Sequence, residues 1–200
     1  MQKITAFLLT LISPIILVAP AYAQSASPKA SLKPLRQAVC QAAVNKIDGR
    51  ISYLNARKSL IDTRYTNVTT RVNGVITKAS QNGGSTSKLQ ADLTTLAGLK
   101  STFDSDFTSL ISELNTAKST DCTSTKWSTV RKQITTLHQK AFSDNKAIRN
   151  FYKNTLKPDL KTVRSSLKTN KNGVTTDINS ASSQVDQAVN ETTDLTNFSL

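Results

Sequence analysis

Apolar residues recur every three or four positions along most of the chain. From Cys40 they pass through Val44, Ile47, Ile51, Leu54, Ile61, Tyr65, Val68, Val72 and Val75 to Ala79, with Lys58 in the one gap. Spacings that alternate four and three are the 3.5-residue repeat of a helix packing one narrow seam along a partner. The pattern predicts a first helix over about 35–80, with Pro34 at its first turn. Gly49 and Gly74 lie inside it, each costing about 1 kcal/mol relative to Ala. The seam stays in register through both. Gln81-Asn82-Gly83-Gly84-Ser85 is a helix stop, and Ser85 or Thr86 can cap the next helix. A second helix is predicted over about 87–118, on the seam Leu89, Leu93, Leu96, Phe103, Phe107, Leu110, Leu114 and Ala117, with Lys100 in its gap. Residues 119–124 form a second turn. A third helix, about 125–168, carries Trp127, Val130, Ile134, Leu137, Ala141, Ile148, Tyr152, Leu156, Leu160, Val163 and Leu167. Pro158 inside it predicts a kink or a break.

These elements define an all-α protein, a long antiparallel three-helix bundle of coiled-coil character over 35–171. Residues 172–200 keep the apolar spacing at Val174, Ile178, Ala181, Val185, Ala188 and Leu195, with Thr192 in one slot. They are rich in Ser, Thr, Asn and Asp, which are weak helix formers. A docked fourth helix and an unfolded acidic tail are both open at this point.

The two cysteines test the hairpin. Cys40 lies 43 residues before Gly83 and Cys122 lies 39 after it. At about 1.5 Å per residue the arms differ by about 6 Å, one helical turn. An antiparallel return therefore brings Cys122 level with Cys40, and a Cys40–Cys122 disulfide is expected. In the chain-entropy account a bridge closing so long a loop contributes about 4–5 kcal/mol.

Composition adds a compartment and a charge. Lys3, the apolar run over 4–18 and the small-x-small site Ala21-Tyr22-Ala23 read as a secretory signal peptide, 1–23, cut before Gln24. Residues 24–34 are a small, polar lead-in. The apolar run is shorter than the ~20 residues a membrane span needs, and no later stretch supplies one. Export into the periplasm, the cell envelope or the medium is the expectation, and a disulfide suits such a setting. Hydrophobic residues make up 38% of the chain, which fits a thin seam better than a thick layered core. The formal net charge is +13, from 26 Lys and Arg against 13 Asp and Glu. Such an excess favours anionic partners without choosing a fold.

Much of that charge is concentrated on the third helix. Lys146, Arg149, Lys153, Lys157, Lys161, Arg164, Lys168 and Lys171 succeed one another at three or four residues and share a face beside the seam. Three readings apply: a solvated face, a site for an anionic polymer running along it, or a surface that the acidic tail folds back to cover. The tail after Lys171 supplies Asp177, Asp186, Glu191 and Asp194 and no basic residue. Enzyme chemistry finds no foothold. His138 is the one histidine, with no nucleophile motif to serve. Ligands for zinc are too few. Gly83-Gly84 lacks the strand and lysine of a phosphate loop. No cofactor, metal or small-molecule substrate is expected.

The layout from Cys40 through Ile47-Asp48-x-Arg50-Ile51, Arg64-Tyr65, Lys88-Leu89-x-Ala91-Asp92-Leu93, Cys122, Ile148-Arg149-x-Phe151-Tyr152 and Lys157-Pro158-Asp159-Leu160 resembles a group of uncharacterised exported helical proteins of candidate-phyla bacteria. The likeness spans about residues 36–168 and implies an envelope or extracellular setting, with no site to carry over. The expected function is that of a non-enzymatic coiled-coil protein that spaces or binds components at the cell envelope, with self-association open. The alternative is binding of an anionic wall polymer or nucleic acid along the third helix. An envelope chaperone comes third and would need a concave apolar patch.

Overall fold

The computed structural model describes residues 32–122, 126–167 and 171–190. The expected signal peptide, 1–23, and most of the lead-in lie outside them. The described residues form α1 (Leu32–Val44), α2 (Ile47–Gln81), α3 (Ser87–Lys118), α4 (Lys126–Phe151), a π turn (Tyr152–Leu156), α5 (Lys157–Ser166) and α6 (Lys171–Asn190). The predicted bundle is present, and the open question about the C-terminal segment resolves over 171–190 as a fourth packed helix, while 191–200, with Thr192 and Leu195, lie outside the described residues. Val174, Ile178, Ala181, Val185 and Ala188 of α6 are all buried. Apolar spacing outweighs the weak propensities of its Ser, Thr and Asn, as tertiary burial commonly does. Helix α6 packs mainly on α2 and also on α5, while α3 packs mainly on α4.

The first predicted helix is jointed. At Asn45 and Lys46 the ladder tightens, with the Lys46 N–H donating to the Ala43 carbonyl only three residues back. Cys40 and Ile47 on either side are both fully buried, so the joint leaves the seam in register. Helix α2 ends in a Schellman turn. The Gly84 N–H donates to the Ala79 carbonyl and the Gly83 N–H to Ser80. Gly83 has φ 69°, a conformation glycine adopts at little cost. Gly84 is held close: a Cβ there would stand 3.0 Å from the Leu167 side chain and 3.1 Å from the Ala79 carbonyl. Helix α3 then spans the residues the pattern predicts, on a core that includes the Phe103–Phe107 ring pair, 5.7 Å between centroids.

Of the kink or break expected at Pro158, the structure shows no break but a local distortion of a continuous helix. The helix widens just before Pro158, and the Lys157 N–H reaches back to the Tyr152 carbonyl, five residues away. The widening accommodates a ring that would otherwise crowd the preceding turn. It also absorbs one extra residue. The buried positions Ile148, Tyr152, Leu156 and Leu160 are spaced four, four and four, one residue more than a strict seam uses. The π turn takes up that residue, so α5 presents its apolar side to the same core.

Candidate functional site

Chemistry in this molecule resides in charges held between and along helices. Cys40 and Cys122 form the expected disulfide, with Cα atoms 5.5 Å apart. It clamps the end of the α1–α2/α3 hairpin away from the Schellman turn. The two gaps in the apolar seams, Lys58 and Lys100, prove to face each other. Lys58 pairs with Asp62 at 2.7 Å and with Asp104 at 2.9 Å. Lys100 pairs with Asp62 at 2.7 Å and with Asp104 at 2.5 Å. Cys40–Cys122, Lys58–Asp104 and Asp62–Lys100 are each equidistant in sequence from Gln81, so one antiparallel register serves the clamp and the charge cluster. Lys100 is nearly enclosed, with its ammonium 5.7 Å from the Tyr65 ring centre and 5.8 Å from that of Phe103. Burial alone lifts the Asp62 carboxyl, but Lys100 and Lys58 outweigh it and hold the group below its ordinary range. Burial pulls the Lys58 ammonium down, and its bonds to Asp62 and Asp104 raise it above the usual value.

Between α3 and the α4–α5 helix the arrangement is reversed. Asp92 of α3 meets Asp159 of α5, both buried, and Asp106 of α3 meets Asp144 of α4. The α3 members are 14 residues apart. Their partners are 15 apart, and the additional residue is the one the π turn absorbs. The Asp92 carboxyl is pushed up to about 6, first by burial, then by the hydrogen bond and charge of Asp159, against a smaller pull from Lys88. Lys88 reaches Asp159 at 2.7 Å from the surface. Asp144 is raised by burial and then by Asp106.

The predicted basic ladder lies on the outer side of α4 and α5. Lys146, Lys153, Lys161 and Arg164 are exposed. Arg149 is half-buried and, with Ile61, Arg64, Asn145, Ile148 and Tyr152, lines a small pocket against Ala188 of α6. Lys157 pairs with Asp186 of α6 at 2.5 Å. Lys168 and the side chain of Lys171 lie outside the described residues. The ladder is therefore divided: Lys157 is answered by the C-terminal helix, Arg149 lines the pocket, and Lys146, Lys153, Lys161 and Arg164 face solvent. Asp177, the other α6 carboxylate, pairs instead with Lys78 of α2 at 2.7 Å.

That contact brings out a second basic row, which the apolar pattern alone does not single out. Arg50, Arg57, Arg64, Arg71 and Lys78 recur on α2 at intervals of seven. In a seam-packed helix such positions share one flank, and Lys78 identifies it as the flank toward α6. The strict seven-residue recurrence was the available signal. Asp104 and Asp106 do not act together: Asp104 belongs to the lysine cluster with α2, and Asp106 turns to α4. His138 is half-buried on α4. Among the described residues no group of three His, Cys, Asp or Glu side chains is placed to hold a metal ion, and no helix is long and apolar enough to cross a membrane. No family model, curated protein or solved structure matches this chain.

Proposed function

We propose that this chain is an exported, non-enzymatic helical protein that spaces or binds components of the cell envelope. The observation that carries the reading is the continuous seam core along a rod clamped at one end by a disulfide. Helix α2 alone has 35 residues, about 52 Å at 1.5 Å per residue. A long, thin bundle is suited to holding two attachments apart. The disulfide and the signal-like N-terminus support an oxidising compartment, in keeping with the resemblance to exported helical proteins. The test is cross-linking in intact cells combined with sedimentation of the purified chain over a hundredfold concentration range. Recovery of envelope components, or a defined self-associated rod, is expected. A cytoplasmic chain with reduced cysteines would overturn the proposal.

A second reading is favoured by the exposure of Lys146, Lys153, Lys161 and Arg164 along α4 and α5. This row suits an anionic polymer bound through charge rather than sequence. Titration with heparin, DNA and an anionic wall polymer across a salt series tests it, beside a variant with those four residues changed to Gln. Tight binding that falls steeply with salt and is lost in the variant supports the polymer reading. Equal affinity in the variant removes it.

A further inference from the structure

The lysines of this molecule divide by partner. Lys58, Lys78, Lys88, Lys100, Lys118 and Lys157 each pair with an aspartate. Lys132, Lys146, Lys153 and Lys161 are exposed on α4, the π turn and α5, and none of them enters an ion pair among the described residues. Their positions are tied to the seam. Lys132, Lys146 and Lys161 each stand two residues before a buried seam residue, Ile134, Ile148 and Val163. Two residues of helix turn about 200°, so each lysine points almost directly away from the core. The steps between them are 14 and 15 residues. In an uninterrupted helix the fifteenth residue would carry Lys161 about 100° around the axis, out of line with the other two. The π turn absorbs that residue, as it does for the buried Leu160, and Lys161 returns to the same pole. Lys153, on the π turn, lies seven residues after Lys146 and eight before Lys161. The four charges therefore form one file along the rod, about 42 Å from end to end once the absorbed residue is discounted.

We propose that this file is a track for a single flexible, unbranched polyanion without bases, such as an anionic wall polymer, lying parallel to the bundle axis. The track rests on the polymer reading and sharpens it: Lys132 joins the site, and a chain shorter than the file forgoes part of it. Successive charges stand about 10 to 21 Å apart, at or beyond the Debye length of about 10 Å at 0.1 M salt. They act as separate contacts in a row, which a compact anion such as inorganic phosphate cannot bridge and a linear one can. Lysine presents a compact, hydrated point charge rather than a bidentate fork, which suits loose contact along a backbone. The two carboxylates of α4 and α5 are withdrawn from the file, Asp144 toward Asp106 and Asp159 toward Asp92 of α3. Trp127, Phe142 and Phe151 of α4 are partly buried and packed on the core, so none of these rings is laid open for a base to stack on.

The test is binding of the full chain to inorganic polyphosphate fractionated by length, across a salt series. Two variants, each losing three exposed basic residues, separate the file from bulk charge: K132Q/K146Q/K161Q on it and K46Q/R71Q/K140Q off it. Affinity should rise with polymer length up to about 42 Å and then level off. The on-file variant should lose at least about tenfold in affinity and about 2 from the salt slope. The off-file variant should stay within about twofold of the parent, because its lost charges lie beyond the screening distance. Equal losses in the two variants, or a plateau already reached by chains of about 20 Å, overturn the track and leave the polymer reading as diffuse charge attraction. No binding at any length, even at low salt, removes the polymer reading itself and the track with it. Single-stranded DNA bound more tightly than polyphosphate of the same length overturns the choice of a chain without bases.

Discussion

The two faces of α3 handle enclosed charge in opposite ways. Toward α2, Lys58, Asp62, Lys100 and Asp104 alternate in sign, so each carboxylate has two ammonium groups within 3 Å. Toward α4 and α5, carboxyl meets carboxyl at Asp92–Asp159 and Asp106–Asp144. The first arrangement favours ionised groups and the second favours a retained proton. The same helix thus ties one neighbour in a way that weakens in acid and the other in a way that strengthens in mild acid.

Removing the enclosed lysine of the first arrangement gives the largest effect. Lys100→Met leaves Asp62 and Asp104 sharing Lys58 alone, beside the apolar Phe103. A fully buried orphan charge costs about 3–5 kcal/mol. The two carboxylates are 39% and 38% exposed, which reduces the expected loss to about 2 kcal/mol. Urea unfolding near neutral pH measures it. A loss no greater than that of Lys58→Met would show that the enclosure of Lys100 has no energetic consequence.

Asp92→Asn should act with the opposite sign. The folded-state value of about 6 lies above the ordinary Asp value. The folded chain therefore binds the proton more tightly, and stability rises as pH falls from about 6 toward about 4. Above that window the charged pair is a cost. The amide variant should gain about 1 kcal/mol near neutral pH, gain nothing below about pH 4, and lose the wild-type slope between them. Asp62 runs the other way: its stabilisation is present above the unfolded Asp value and is lost as pH falls below it. Unfolding midpoints across this range separate the two faces of α3. A variant as pH-dependent as the parent would refute the shared-proton account.

Much of this was legible as pattern and little as pairing. Lys58 and Lys100 stood out as the gaps in their seams, yet only the register showed that they face each other. The arms to Cys40 and Cys122, 43 and 39 residues from Gly83, held that register to within one helical turn, because both were measured from one turn. The joint at Asn45 and Lys46 left no trace, since the seam runs through it in phase. The π turn was present in the three consecutive spacings of four from Ile148 to Leu160. It was masked by Pro158, whose missing N–H argued for a break. The carboxyl pairs were hidden for the same reason: Asp92 and Asp106 are two repeats apart, but Asp144 and Asp159 match them only after the extra residue is removed. Helix α6 was ambiguous because its propensities and its apolar spacing disagree. The seven-residue row on α2 was hidden beside the denser ladder on α4 and α5.

The second carboxyl pair should repeat the sign at lower amplitude. Asp106 and Asp144 are half-buried rather than enclosed. Asp106→Asn is expected to stabilise by about 0.5 kcal/mol near neutral pH and to leave the Lys100 cluster unaffected. In the double variant with Lys100→Met the two effects should add, because the sites share no partner. Coupling beyond about 0.5 kcal/mol would mean that α3 transmits strain between its faces.

The smallest effect belongs to the contact that joins the ladder to α6. Lys157 and Asp186 are 31% and 46% exposed at 2.5 Å. A pair so open to water contributes at most about 1 kcal/mol, and at high salt screening over about 3 Å removes much of that. Lys157→Gln should therefore lower stability slightly at low salt and negligibly in molar salt. Asp92→Asn, whose pair is enclosed, should keep most of its effect under both conditions. Local exchange sharpens the contrast. Loss of the Lys157 charge should loosen α6 around Val185 while the apolar contacts at Val174 and Ile178 hold the N-terminal half. Loosening of α6 as a whole would mean that this exposed pair, rather than the buried side chains, fixes the helix to the bundle.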